Sequence, residues 1–167
     1  AFIATGESTA MIFMIFVGAD MLNAALALSQ MPGQVAALVA GLGWPPLAIV
    51  VAILCFYVVL GGVMDELSMI MLTLPVLFPA VMQLDLHGLD ATGKAIWFGI
   101  MVLMVVEIGL IAPPVGLNVY VINAFARDVP MAETYRKVFI FLAADAVRIV
   151  LLLLFPALSL TLVRVLT

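Results

Sequence analysis

Charged side chains are the first scarcity. Ten acidic and six basic residues occur among 167, against a hydrophobic share of 67% and a mean hydropathy of +1.37, where a soluble domain is roughly 45–50% apolar and about 25% charged. Too few polar groups exist to clothe a water-soluble core, so lipid is the solvent for most of this surface. Disorder is excluded on the same ground, because disordered chains are poor in the Leu, Ile, Val and Met that dominate here. The basic residues form no stripe, which excludes a nucleic-acid footprint. One cysteine, Cys55, lies in the apolar run 52–56, so neither an internal disulfide nor a cysteine-ligated metal site is available. The one histidine, His87, shares a loop with Asp85 and Asp90, a poor basis for a metal centre. No nucleophile elbow, Walker loop, dinucleotide fingerprint or His-Glu-x-x-His pair occurs, and the chain reads as something other than an enzyme. It opens on Ala1 with no basic stretch ahead of an apolar run. No signal peptide is recognised, and an incomplete chain is expected.

What is present is organised by the gaps between charges. From residue 21 to residue 64 there is no charge for 44 residues, which as one helix would extend about 66 Å, roughly twice a hydrocarbon core. The chain must reverse. Turn clusters at 30–34 and 41–46 supply the places, leaving 34–42 as a short interfacial or partly inserted helix beside Trp44. The membrane segments are expected at about 8–29, 47–63, 67–84, 95–111, 115–126 (a half-length helix) and 138–163. Thr73, Pro75 and Pro79 predict a kink or interruption in 67–84. The pair 47–63 and 67–84 reads either as two short transmembrane helices or as the limbs of a re-entrant hairpin with its tip at 61–66. The fold class is an all-α polytopic membrane protein. Arg127, Arg136 and Lys137 place the 127–137 loop in the cytoplasm by the positive-inside rule.

Helix breaks at membrane depth free N–H and C=O groups that find no water, so they are tolerated only when packed in protein or lining a wet cavity. Two stand out. One is Gly61-Gly62-Val63-Met64-Asp65; the other runs from Gly109 through Ala112-Pro113-Pro114-Val115-Gly116 to Asn118. The second either is an ordinary interfacial loop or holds two half-helix ends in one gap, a carbonyl-rich end suited to a cation and an N–H-rich end suited to an anion. Glu107, Asn118 and Asn123 nearby favour a site. Asp65 and Glu66, judged alone, read as a solvated turn, and Asp20 as a structural residue that either faces the bundle interior or shortens the span. Asp145 and Arg148 are three apart on a helix and are expected to form a structural ion pair. The eleven methionines read as packing.

The stretch 107–121, Glu-Ile-Gly-Leu-Ile-Ala-Pro-Pro-Val-Gly-Leu-Asn-Val-Tyr-Val, resembles the large membrane subunit of the tripartite ATP-independent periplasmic (TRAP) transporters. Gly61-Gly62-Val63-Met64-Asp65-Glu66, the following Pro75 and Pro79, Trp97-Phe98-Gly99-Ile100 and Phe155-Pro156-Ala157-Leu158-Ser159 resemble the family in order and spacing. The resemblance implies residues 1–167 to be the C-terminal half of that permease, one half of an inverted-repeat, elevator-type transporter. It implies a re-entrant hairpin and a broken helix, with multi-pass residence in the bacterial inner membrane. It further implies Na⁺-coupled import of small organic acids such as C4-dicarboxylates, with a small membrane subunit and a periplasmic solute-binding protein as partners and no cofactor beyond Na⁺ as coupling ion.

By the same resemblance, Gly61, Gly62, Met64, Asp65, Ile111, Ala112, Pro113 and Gly116 would hold Na⁺, largely through backbone carbonyls. Pro114 and Asn118 would line the substrate cavity. Two departures stand out: Ala112 occupies a place where the family commonly has Thr, and the 87–94 loop is longer than usual. Rival readings are an ion-coupled organic anion symporter that needs no binding protein, and a membrane scaffold subunit that does not transport.

Overall fold

The computed structural model describes residues 2–112, 116–125 and 129–166. Eight helices are found among them: α1 (Phe2–Leu28), α2 (Met31–Gly41), α3 (Pro46–Gly61), α4 (Glu66–Met82), α5 (Ala91–Ile111), α6 (Leu117–Phe125), α7 (Met131–Leu154) and α8 (Ala157–Leu166). Thr5–Leu28 and Ala91–Ile111, with mean hydropathies of 2.0 and 2.1, are long and apolar enough to cross a membrane. The chain divides into two compact units, Ala1–Trp44 with Leu67–Leu84, and Pro45–Glu66 with Asp85–Thr167.

In the first unit, α1 is apolar on all sides, and only 6% of its spanning window is buried. A helix hydrophobic all round belongs in lipid or within a larger bundle. The chain leaves α1 through Ser29 and Gln30, whose φ of 54° is left-handed, and α2 begins at once. Pro32 sits in the first turn of α2, where its missing N–H costs nothing; the turn is therefore two residues, shorter than the 30–34 cluster suggested. α4 is helical through Pro75 and Pro79. Pro75 cannot donate to the Met71 carbonyl four residues earlier, and the Asn23 side-chain amide donates to that oxygen instead at 3.2 Å. Thr73 Oγ1 donates to the Met69 carbonyl at 2.7 Å, a second side-chain bond in the same turn.

The second unit is organised around α5. Its buried residues, Gly93, Trp97, Phe98, Met101, Val102, Val105, Val106 and Gly109, recur at helical spacing along its whole length. The facing stripe on α3 is Ile49, Val50, Ile53, Leu54, Tyr57 and Gly61. Trp97 and Phe98 of α5 and Tyr57 of α3 are fully buried, and each stripe ends in a glycine at its C-terminal end. α6, α7 and α8 also pack on α5, yet α7 buries none of its described side chains. Phe139, Ile140 and Phe141 are exposed, a surface that only lipid or further protein covers.

The expected segment 138–163 falls on two helices, α7 and α8, divided at Phe155–Pro156. Pro156 has no N–H for the Leu152 carbonyl. Trp97 Nε1 donates to that carbonyl at 2.8 Å, and His87 Nε2 lies 3.0 Å from the neighbouring Leu153 carbonyl. A carbonyl only accepts, so Nε2 is the His87 nitrogen that carries hydrogen. The two rings meet edge to face, 6.0 Å apart at 76°. The break is thus capped by an indole from α5 and an imidazole from the loop before it.

Replacing Trp97 by Phe keeps a ring in the core but strips the Leu152 carbonyl of its donor. An unsatisfied buried acceptor costs about 1–3 kcal/mol, so the detergent-solubilised protein is expected to melt several degrees lower. An unchanged melting temperature would show that the indole N–H does not support the Pro156 break.

Candidate functional site

Two of the breaks in the second unit lie against each other. A Cβ built on Gly61 would sit 3.0 Å from Gly109 Cα and 3.1 Å from the Val106 carbonyl oxygen; one on Gly109 would sit 2.8 Å from Gly61 Cα and 2.8 Å from the Val58 oxygen. Backbone meets backbone here with no side chain between. At Gly62 the space is easier, with 3.4 Å to the Val59 oxygen and 3.9 Å to the Gly109 oxygen.

Both helices stop just beyond this crossing. At the end of α3, Val63 and Met64 both donate to the Leu60 carbonyl at 2.9 Å. At the end of α5, Ala112 donates to Ile108 at 2.7 Å and then turns extended, with φ −71° and ψ 141°.

Gly116 returns the chain to the end of α5. Its φ is +53°, and a Cβ on it would meet the Ile111 carbonyl oxygen at 2.9 Å, the Tyr135 hydroxyl at 3.0 Å and the Ala112 carbonyl oxygen at 3.3 Å. The glycine is required twice, by its left-handed backbone and by the oxygen atoms that occupy the side-chain direction. The Ile111 and Ala112 carbonyl oxygens are acceptors, suited to a hydrogen-bond donor or to a hard cation with oxygen ligands. Among the described residues no group of three His, Cys, Asp or Glu stands together as metal ligands.

The expected site residues distribute as follows. Gly61, Gly62 and Gly116 are buried, Met64, Ile111 and Ala112 are half-buried, and Asp65 and Asn118 are exposed. Gly61 and Gly62 meet the last turns of α5, and Gly116 meets Ile111 and Ala112. Pro113 and Pro114 lie outside the described residues. Arg148 and Asp145 stand 2.8 Å apart on α7, with the arginine 60% and the aspartate 29% exposed; an exposed pair of this kind contributes little to stability.

Sequence reasoning missed two features. Tyr135, on a stretch that reads only as amphipathic, reaches the end of α5, while its neighbour Thr134 donates to Asn123 Oδ1 of α6 at 3.1 Å. In the first unit, a cavity of about 350 Å³ is lined by Phe16, Val17, Asp20, Asn23 and Met71. There Asn23 Oδ1 is buried without a hydrogen-bond partner among the described residues. Asp20 and Asn23 are three apart on α1, a spacing that was visible; that a proline would turn the amide toward Met71 was not.

Helices long and apolar enough to cross a membrane, with two helix ends packed backbone against backbone, fit an integral membrane protein. The comparisons make that specific: residues 1–158 match the family model of the tripartite ATP-independent periplasmic transporter, DctM component, and the chain belongs to that family. It is 31% identical over 158 residues to the C4-dicarboxylate TRAP transporter large permease protein DctM of Pseudomonas aeruginosa, covering 95% of this chain and 35% of that protein. The corresponding protein of Rhodobacter capsulatus is 34% identical over 123 residues, 74% of this chain and 26% of that one. The sialic acid TRAP transporter permease protein SiaT of Haemophilus influenzae is 29% identical over 152 residues, 91% of this chain and 23% of that one. The chain thus spans about a third or less of these curated relatives. No solved structure matches it.

The glycine contacts yield a graded expectation. Gly109→Ala forces a methyl to 2.8 Å from two backbone atoms and is expected to cost about 1–3 kcal/mol, whereas Gly62→Ala has room and costs less. Thermal melting of the two variants side by side checks this; equal losses would mean that the backbone contact is not tight.

Proposed function

We propose that this chain is the C-terminal part of a TRAP large permease subunit that imports small organic acids across the bacterial inner membrane, driven by Na⁺. The observation that carries the reading is the pairing of the Gly61 and Gly109 backbones directly before the Ile111 and Ala112 carbonyls converge on Gly116. A partly dehydrated cation needs such oxygen ligands, and placing them on two helix ends makes the geometry depend on how those ends pack. In this reading Gly61, Gly62, Met64, Asp65, Ile111, Ala112, Pro113 and Gly116 form the Na⁺ site, with Pro114 and Asn118 on the substrate side. The tip at 61–66 belongs to a re-entrant hairpin, and the domain moves as one half of an elevator. Substrate arrives from a periplasmic solute-binding protein, and a small membrane subunit completes the complex, in keeping with the tripartite family. C4-dicarboxylates are the favoured substrate class because two of the relatives carry that word in their names. Transport belongs to the whole assembly, since this chain covers only part of its relatives.

The test is uptake by the full-length permease reconstituted with its partners. Replacing external Na⁺ by K⁺ is expected to lower uptake by about tenfold or more, the scale of a typical coupling free energy. Unchanged uptake would end the Na⁺ reading.

A further inference from the structure

We infer that Asp20 and Asn23 form the acidic half of an intramembrane ion pair, a site that receives the Lys or Arg head group of a helix in the rest of the full-length permease. The inference is independent of the Na⁺ reading. Asp20 is the sole charge of residues 8–28 and stands inside the span Thr5–Leu28, with 15 residues of that helix before it and eight after. A carboxylate so placed pairs with an opposite charge or faces a wet cavity; it is not left against lipid tails. Its own compact unit, residues 1–44 and 67–84, contains no Lys, Arg or His. The counter-charge therefore comes from another part of the assembly. Within this chain, Arg148 is already 2.8 Å from Asp145, Lys94 lies at the start of α5 and Arg164 near the end of α8. Arg127, Arg136 and Lys137 belong to the stretch expected at the cytoplasmic face. The chain spans about a third or less of its curated relatives, so most of the permease's helices remain as sources.

The chemistry of the cavity selects the occupant. Its volume of about 350 Å³ is about tenfold the share of one water. Phe16, Val17 and Met71 supply apolar walls, and Asp20 and Asn23 supply the polar end. The two polar residues are three apart on α1 and share a face. Asn23 is oriented by its amide nitrogen, which donates to the Met71 carbonyl at 3.2 Å, so its Oδ1 is the atom left buried without a partner among the described residues. A carboxylate and an amide oxygen are acceptors, and Lys and Arg head groups are donors only. Their methylene stems lie well along apolar walls. A bare metal ion fits less well, because hard cations gather about six or more oxygens and the lining side chains offer two such groups.

The experiment uses the full-length permease with its small membrane subunit, solubilised in detergent. Wild type and Asp20→Asn are compared, and Asp20→Asn is then combined with replacement of each Lys and Arg, one at a time, by Gln. The readouts are the yield of folded complex on size exclusion and its melting temperature in NaCl and in KCl. Asp20→Asn is expected to lower the melting temperature by several degrees and the yield several-fold, because it strands a cation in the membrane. One second replacement, in the permease outside residues 1–167, is expected to restore both, since removing both charges of a buried pair is far better tolerated than removing one. If the single variant gives no folded complex, restoration is read from that zero. An Asp20→Asn protein with wild-type yield and melting overturns the inference, as does a loss that no second replacement restores. Restoration from within residues 1–167 or from the small subunit overturns the assigned source. A melting difference between NaCl and KCl that vanishes in Asp20→Asn overturns it in favour of a bound metal ion.

Discussion

In a chain whose surroundings are apolar, every interruption of a helix releases carbonyl and amide groups that water cannot reach, and the structure depends on where their partners come from. Pro75 frees the Met71 carbonyl, and the Asn23 amide takes it. Pro156 frees the Leu152 carbonyl, and the Trp97 indole takes it, with His87 on the carbonyl beside it. In each case the donor arrives from another helix or loop of the same compact unit, so the satisfied break also serves as a tertiary tie. A proline in such a helix costs less where a side-chain donor is already positioned, and both the continuous α4 at Pro75 and the α7–α8 division at Pro156 have one.

The end of α5 differs in kind. Its last carbonyls converge beside Gly116 with a tyrosine hydroxyl for company, an arrangement rich in acceptors. Packing explains how it is reached. The stripes on α3 and α5 are bulky at Trp97, Phe98 and Tyr57 and end in Gly61 and Gly109, so the helices are free to close to backbone contact just where both terminate. Large side chains fill the interface along its length and glycines let it tighten at the C-terminal ends. The consequence for function is positional: two helix ends are brought into register by van der Waals contact, so oxygen atoms at those ends keep a defined spacing.

Much of this was legible in the residues. The uncharged stretch 21–64, the Gly61-Gly62 pair and the Ala112 to Gly116 interruption mark the reversals and breaks, because charges and helix breakers are too costly in lipid to be placed casually. The Asp145 and Arg148 spacing pointed to a pair, and the two side chains stand 2.8 Å apart. The expected 138–163 segment contains Pro156, and composition does not reveal whether a proline is bridged or divides its helix. Nor does it reveal that Trp97, 55 positions earlier in the chain, reaches the freed carbonyl.

The sequence by itself determined the solvent, the helical class, the places where the chain must turn and, through ordered motifs, the family. Those follow from local composition and period, which each segment carries independently of its neighbours. Tertiary structure alone decided which breaks touch and which side chains answer them: Gly61 against Gly109, Asn23 beneath Pro75, Trp97 behind Pro156 and Tyr135 at Gly116. These are pairings between positions far apart in the chain, selected by the packing of whole helix faces, and no local pattern encodes the partner of a freed carbonyl.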